Sequence, residues 1–216
     1  MINEASSYFT LQNTATKEIK EKGSKFIAVS FPIQSRDEFE TIILKLKDQY
    51  PKATHYCYAY KIGFDGNNYR INDDGEPSGT AGKPIFGQLE SYKLTNAAIV
   101  VIRYYGGTKL GVTGLIHAYK NASNLSILEN VILEKFVEVK FRVTFTRDQY
   151  EKMQICIGQL KKYFTELQFL SQYEIIVILP VKQVEELRKI IFETLYGFSY
   201  SPNQKKELDN ILIELQ

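Results

Sequence analysis

The sequence predicts an α+β protein of two domains, and three observations lead there. The chain has 216 residues, more than one average domain and enough for two small ones. Up to about residue 130, strand-like and hairpin-like segments mix with amphipathic helical ones. Beyond that point the pattern becomes strand, helix, strand, strand, helix, strand, which is the ferredoxin-like β-α-β-β-α-β order. The expected domains are therefore 1–132 and 133–216, with the boundary near 131–135. A composition of 44% hydrophobic and 24% charged residues supports a folded core in each.

Residues 15–21 and 25–32 read as two strands joined at Lys22-Gly23-Ser24, a hairpin. Ser35 is placed to cap a helix over 37–50, in which Phe39, Ile42, Ile43 and Leu46 recur at helical spacing and Pro51 marks the stop. The tyrosine-rich segment 54–62 predicts a strand, 63–68 a turn and 69–71 a short strand. Pro84 suits a helix's first turn, and Ile85, Leu89 and Tyr92 support a helix ending before Asn96. Residues 96–104 form a buried-strand pattern, and 115–128 resume helical periodicity. In the second domain the expected elements are strands at 136–145, 166–170, 173–179 and 211–215, with helices at 147–163 and 181–196.

Two loops concentrate the chemistry. Asn72 to Pro84, NDDGEPSGTAGKP, holds three acids in four positions, Asp73, Asp74 and Glu76, together with Ser78, Thr80 and Lys83. Such acids repel one another unless cations or backbone donors neutralise them, and the interspersed glycines permit close backbone approach. The second loop, RYYGGTKLGVTG from Arg103 to Gly114, lies between a strand and a helix, where unpaired amides and the helix dipole favour anions. Lys83, Arg103 and Lys109 could together face one concave surface with Gly106 and Gly107, or could pair with the three acids. Neither loop matches a nucleotide fingerprint: Pro77 replaces the first P-loop glycine, Pro84 replaces its hydroxyl residue, and the second loop lacks G-x-G-x-x-G spacing.

The acids offer hard oxygen ligands for a divalent ion with His55 as a base, but they equally suit a tight turn whose amides they accept. No metal-ligand spacing raises the first reading, and no cofactor is expected. His117 reads as a solvated helical residue, and Ser78 as a hydroxyl that holds the turn. Cys57 and Cys156 lack any paired spacing and read as small buried hydrophobes. A net charge of +2 neither demands nor excludes a nucleic-acid partner, which a local patch would have to meet. No apolar run reaches membrane-spanning length and no secretory signal is evident, so a cytoplasmic protein is expected.

The motifs EKGSKFIA at 21–28, ATHYCYAY at 53–60, DDGEPSGTAGKP at 73–84 and VVIRYYGGTKLG at 100–111, followed by TGL and AY, resemble the signature of the YigZ/IMPACT family. The second domain resembles the ferredoxin-like C-terminal domain of bacterial members. Val112-Thr113 departs from a more usual Ala-Gly, and His117 stands where arginine is common. The resemblance implies a first domain with the left-handed βαβ fold of a small-subunit ribosomal protein and of the fourth domain of elongation factor G. It implies a translation-linked regulator with no established enzymatic activity. The leading expectation is thus RNA or ribosome binding, with Lys83, Arg103 and Lys109 on phosphate and Tyr104 or Tyr105 stacking on a base. The alternative is a metal-dependent enzyme acting on a phosphorylated small molecule or nucleotide. A third reading is a protein-partner module using the second domain's sheet.

Overall fold

The computed structural model describes residues 7–64, 68–197 and 199–200, and the backbone of 212–215. The chain divides into two compact units, Tyr8–Lys135 and, chiefly, the residues from Phe136 onward. Both mix helices with antiparallel sheets. Among the described residues no helix is long and apolar enough to cross a membrane.

In the first unit, β1 (Ser7–Leu11) is followed by the hairpin β2 (Ala15–Glu21) and β3 (Ser24–Pro32). Glu21 pairs with Ser24, so Lys22 and Gly23 form a two-residue turn. Their φ angles of +44° and +80° are those of a turn that matches strand twist. Helix α1 (Arg36–Gln49) starts where the Ser35 side chain accepts the Glu38 amide at 3.2 Å. Then come β4 (His55–Ile62), β5 (Asn68–Asn72), α2 (Gly82–Ser91), β6 (Ala97–Tyr104), α3 (Gly111–Leu128) and β7 (Ile132–Phe136). Residues 65–67 of the expected turn lie outside the described residues.

Five strands form one antiparallel sheet in the order β2-β3-β6-β4-β5, while β1 and β7 make a separate two-stranded ribbon. Strand alternation sends Phe26, Ala28, Cys57, Ala59, Ile99 and Val101 to one face, into a core shared with α2 and α3. It sends Ile27, Val29, Tyr58, Tyr60, Val100 and Ile102 to the other, against Phe39, Ile43 and Leu46 of α1. The central strands β3 and β6 are therefore apolar on both faces, which explains their unbroken hydrophobic runs.

The second unit contains β8 (Glu138–Thr144), α4 (Tyr150–Leu160), β9 (Glu166–Ser171), β10 (Glu174–Pro180), α5 (Val184–Tyr196) and β11 (Leu212–Leu215). Its antiparallel sheet has the order β11-β8-β10-β9, and alternate residues of β8 and β10 pack on the helices. The helices are shorter than the periodicity predicts because single 3₁₀ turns at 147–149, 161–163 and 181–183 occupy their ends. The expected strand 136–145 is interrupted, since Phe136 ends β7 and β8 begins at Glu138. Helix α3 begins at Gly111, four residues before the expected start, so the glycine-rich loop itself supplies the first turn.

Candidate functional site

Four turns converge at one end of the first unit's sheet: the β2–β3 turn, the loop entering β4, the acidic loop after β5 and the glycine-rich loop after β6. Their backbones are stitched together. The Thr54 amide donates to the Arg103 carbonyl at 2.7 Å, and the Tyr105 amide to Thr54 Oγ1 at 3.0 Å. The Gly106 amide donates to Ser24 Oγ at 3.1 Å. A Cβ on Gly23 would sit 3.0 Å from the Gly106 carbonyl oxygen, so these two loops press backbone to backbone.

The three acids point in three directions. Asp73 Oδ2 accepts the Gly79 amide at 2.9 Å, and Oδ1 accepts those of Ala81 at 3.0 Å and Gly82 at 2.8 Å. One carboxylate thus caps the start of α2, where Ala81 has no side chain to do so. Gly82 is required there, because a Cβ would meet Ile71 Cγ2 at 2.5 Å and the Asn72 nitrogen at 2.9 Å. Asp74, at φ +43°, accepts the Tyr56 amide on Oδ2 at 2.6 Å. Its carbonyl accepts Nδ1–H of His55 at 2.8 Å, leaving Nε2 toward Glu76 at 3.8 Å. Thr80 Oγ1 bonds the Pro77 carbonyl at 2.7 Å inside the turn, and Ser78 is exposed.

Burial alone would raise the Asp73 carboxyl, but the three amide bonds and the nearby Lys83 charge outweigh it and hold the group below the ordinary carboxylate range. A folded-state value below the unfolded value of about 3.9 means stability that is present above that pH and lost as pH falls through the folded-state value. Asp73→Asn is therefore expected to be less stable than the native chain at neutral pH, with the gap closing below about pH 4. Urea denaturation at both pH values tests this, and a pH-independent gap refutes it.

Glu76 is the centre of a buried network. Its Oε1 accepts Arg103 Nη1 at 2.5 Å and the Tyr119 hydroxyl at 2.7 Å. Arg103 also donates from Nη2 to Ser24 Oγ at 3.3 Å, and its guanidinium lies between the rings of Phe26 and Tyr105, at 5.3 and 5.4 Å. The cross-strand register explains the grouping: Phe26, Arg103 and His55 are direct partners on β3, β6 and β4 and share one sheet face. Cys57 Sγ lies 3.3 Å from the Tyr119 hydroxyl and 3.0 Å from the Asp73 carbonyl. Burial pushes both its thiol and the Tyr119 hydroxyl well above their usual ranges, which keeps them protonated donors.

This arrangement corrects two expectations. Arg103 is not a surface cation: it is 4% exposed and its charge is committed to Glu76. Tyr104 is one residue out of phase, so it faces the α1 layer, where its hydroxyl donates to the Pro51 carbonyl at 3.1 Å. Lys83, Lys109, Gly106, Gly107 and Tyr105 do reach the surface at this end. His117 is exposed on α3. Ser24, Gly23 and Tyr119, which sequence reasoning did not place at the site, hold its parts together. Their one signal was membership of the EKGSKFIA and AY motifs.

Helices α2 and α3 run parallel. Pro84, Gln88, Ile116 and Lys120 line one recess between them, the Tyr92 hydroxyl donates to Asn124 Oδ1 at 2.8 Å, and α2 follows the acidic loop as α3 follows the glycine-rich one. Both helix N-termini consequently lie at the end where the turns converge. The start of α2 is occupied by Asp73. That of α3 has no side-chain cap and no acid in its first turn, so its amides remain available.

Comparison with known proteins agrees with the signature motifs. Residues 22–127, which contain every element of this site, match the Impact N-terminal domain. The IMPACT family member YvyE of Bacillus subtilis (strain 168) is 34% identical over 188 residues, covering 87% of this chain and 79% of its own. The chain belongs to the IMPACT family. IMPACT family member YigZ of Escherichia coli (strain K12) is 29% identical over 175 residues, covering 80% of this IMPACT protein and 85% of its own length. A crystal structure described as a hypothetical protein superposes with a TM-score of 0.67, covering 92% of this chain and 99% of that one at 23% identity. That similarity speaks for the fold.

Proposed function

We propose that this IMPACT family member is a translation-linked regulatory protein that binds RNA phosphate, with ribosomal RNA as the partner, at the convergent end of its first unit. The observation that carries the reading is charge made one-sided by structure. Asp73 and Glu76 are turned inward onto amides and a guanidinium, and Asp74 onto the Tyr56 amide. Lys22, Lys52 and Lys109 stand on the surrounding turns and pair with no carboxylate among the described residues. Lys83 lies beside them at the start of α2. With the uncapped start of α3 and the open backbone of Gly107, they make an anion-binding end. Tyr105, 46% exposed, offers a face for a base. In this reading Arg103 is a positioning residue.

The order β11-β8-β10-β9 with a β-α-β-β-α-β sequence supports a ferredoxin-like second unit. We read the first unit as the left-handed βαβ fold of ribosomal proteins, and both readings favour a partner in translation. The metal-dependent alternative fits less well, because each acid it needs is already an acceptor for protein donors, and among the described residues no three His, Cys, Asp or Glu side chains are grouped to hold an ion. Co-sedimentation of the full chain with ribosomes over a salt series tests the proposal. Lys109→Glu and Lys22→Glu are each expected to weaken association and to lower the log–log salt slope by about one. Association that is insensitive to salt and to both variants overturns it.

A further inference from the structure

We infer that the groove between α2 and α3 is a subsite for a single nucleotide, with the Gln88 amide reading the edge of its base. The inference rests on the RNA reading and extends its site along the helices. The groove has a volume of about 550 Å³, within the range of small-molecule sites, and adjoins a second recess of about 520 Å³ that shares Gln88, Lys120 and Asn124.

The decisive feature is Gln88. It is 7% exposed and lines both recesses, yet among the described residues its side-chain amide makes no hydrogen bond; only its backbone carbonyl is used, by Tyr92 and Ser91. The amide atoms of this largely buried side chain keep access to solvent through the recesses, so a ligand entering there exchanges water for its own donor and acceptor. Its adjacent donor and acceptor complement the donor–acceptor edge of a nucleobase. Pro84 and Ile116, the latter 36% exposed, supply apolar walls one turn toward the helix N-termini.

Charge on the two helices favours an anionic ligand in the groove itself, while Glu21 of β2 lines the far recess beside Lys120. Helix α3 carries no carboxylate over its 18 residues, and the one acid of α2, Glu90, is paired with Lys61 at 2.8 Å. Lys120 is exposed in the groove and pairs with no carboxylate among the described residues. The groove opens one turn from Lys83 and the start of α3, so a strand whose phosphates lie at the convergent end can place its next base against Gln88 and the following phosphate near Lys120.

The test uses the full chain with a short single-stranded oligoadenylate, an abasic strand of equal length, adenosine monophosphate and polyglutamate. The base-bearing strand is expected to bind roughly tenfold more tightly than the abasic one, the size of one recognised base. Gln88→Met, equal in volume, is expected to abolish that preference, to leave the salt slope unchanged and not to lower the melting temperature. Equal binding of the two strands, or a preference that survives Gln88→Met, overturns the groove assignment while leaving the phosphate reading intact. Binding of neither strand overturns both. Monophosphate binding as tight as the strand's, and dependent on Gln88, upholds the groove and replaces RNA by a free nucleotide. Polyglutamate binding as tight as the strand's overturns the assignment in favour of an acidic polypeptide.

Discussion

Replacing Arg103 by leucine is expected to cost about 3–5 kcal/mol of stability, the usual consequence of removing one partner from a buried ion pair. The melting temperature of the first unit should fall by roughly 10 °C or more. The cause is the carboxylate left behind: the Glu76 side chain is 4% exposed and would retain only the Tyr119 hydroxyl as a strong donor. Arg103→Lys is expected to recover only part of the loss, because one ammonium cannot span Glu76 and Ser24 as the guanidinium fork does. The double variant Glu76→Gln/Arg103→Leu should be more stable than Arg103→Leu, since no buried charge is stranded. Urea denaturation of the native chain and the three variants decides, and a loss below about 1 kcal/mol for Arg103→Leu refutes the account. The same residues separate contact from positioning in RNA binding. Glu76→Gln removes a negative charge, so a site held by charge alone would bind RNA more tightly. If Glu76 and Arg103 position the loops, that variant binds more weakly.

Whether Arg103 points inward was only half legible in the sequence. Strand parity places it with Val101 and Tyr104 with Ile102, but β6 is apolar on both faces, so parity does not say which neighbour each face meets. That depends on α1 covering one side and α2 with α3 the other, which is tertiary information. Elements with one exposed face were read well: α1 shows its Ser35 cap and its Phe39, Ile43 and Leu46 stripe directly. The β1–β7 ribbon escaped because its partners are separated by the whole first unit and neither strand has a clean alternation. At the site, the suspicion that the acids serve the turn's own amides or pair with a cation is what the geometry shows for Asp73 and for Glu76 with Arg103, whereas Asp74 accepts an amide of β4. The roles of Ser24 and Tyr119 were hidden because their partners lie 79 and 43 residues away.

Gly106 and Gly107 are adjacent and look identical in sequence, yet their substitution should have different consequences. A Cβ on Gly106 would fall inside van der Waals distance of the Gly23 carbonyl and the Ser24 nitrogen, all backbone atoms of the β2–β3 turn, which cannot swing aside like a side chain. One of the two loops must move. Its movement breaks the Gly106 amide bond to Ser24 Oγ, and with it the Ser24 contact that steadies Arg103. Gly106→Ala is therefore expected to cost about 3 kcal/mol or more, at the upper end of overpacking effects. Gly107 has φ +83° and nothing within 4 Å of the position a methyl would take, so Gly107→Ala bears only the left-handed conformational penalty of about 1–2 kcal/mol. Denaturation of the two variants should rank them in that order. Equal losses, or a larger loss for Gly107→Ala, would show that the close approach of the two turns does not hold this end together. The same pair tests what the anion-binding end requires. Gly106→Ala displaces the loop that presents Lys109, so ribosome association should fall with its charge unchanged, whereas Gly107→Ala should retain most of it.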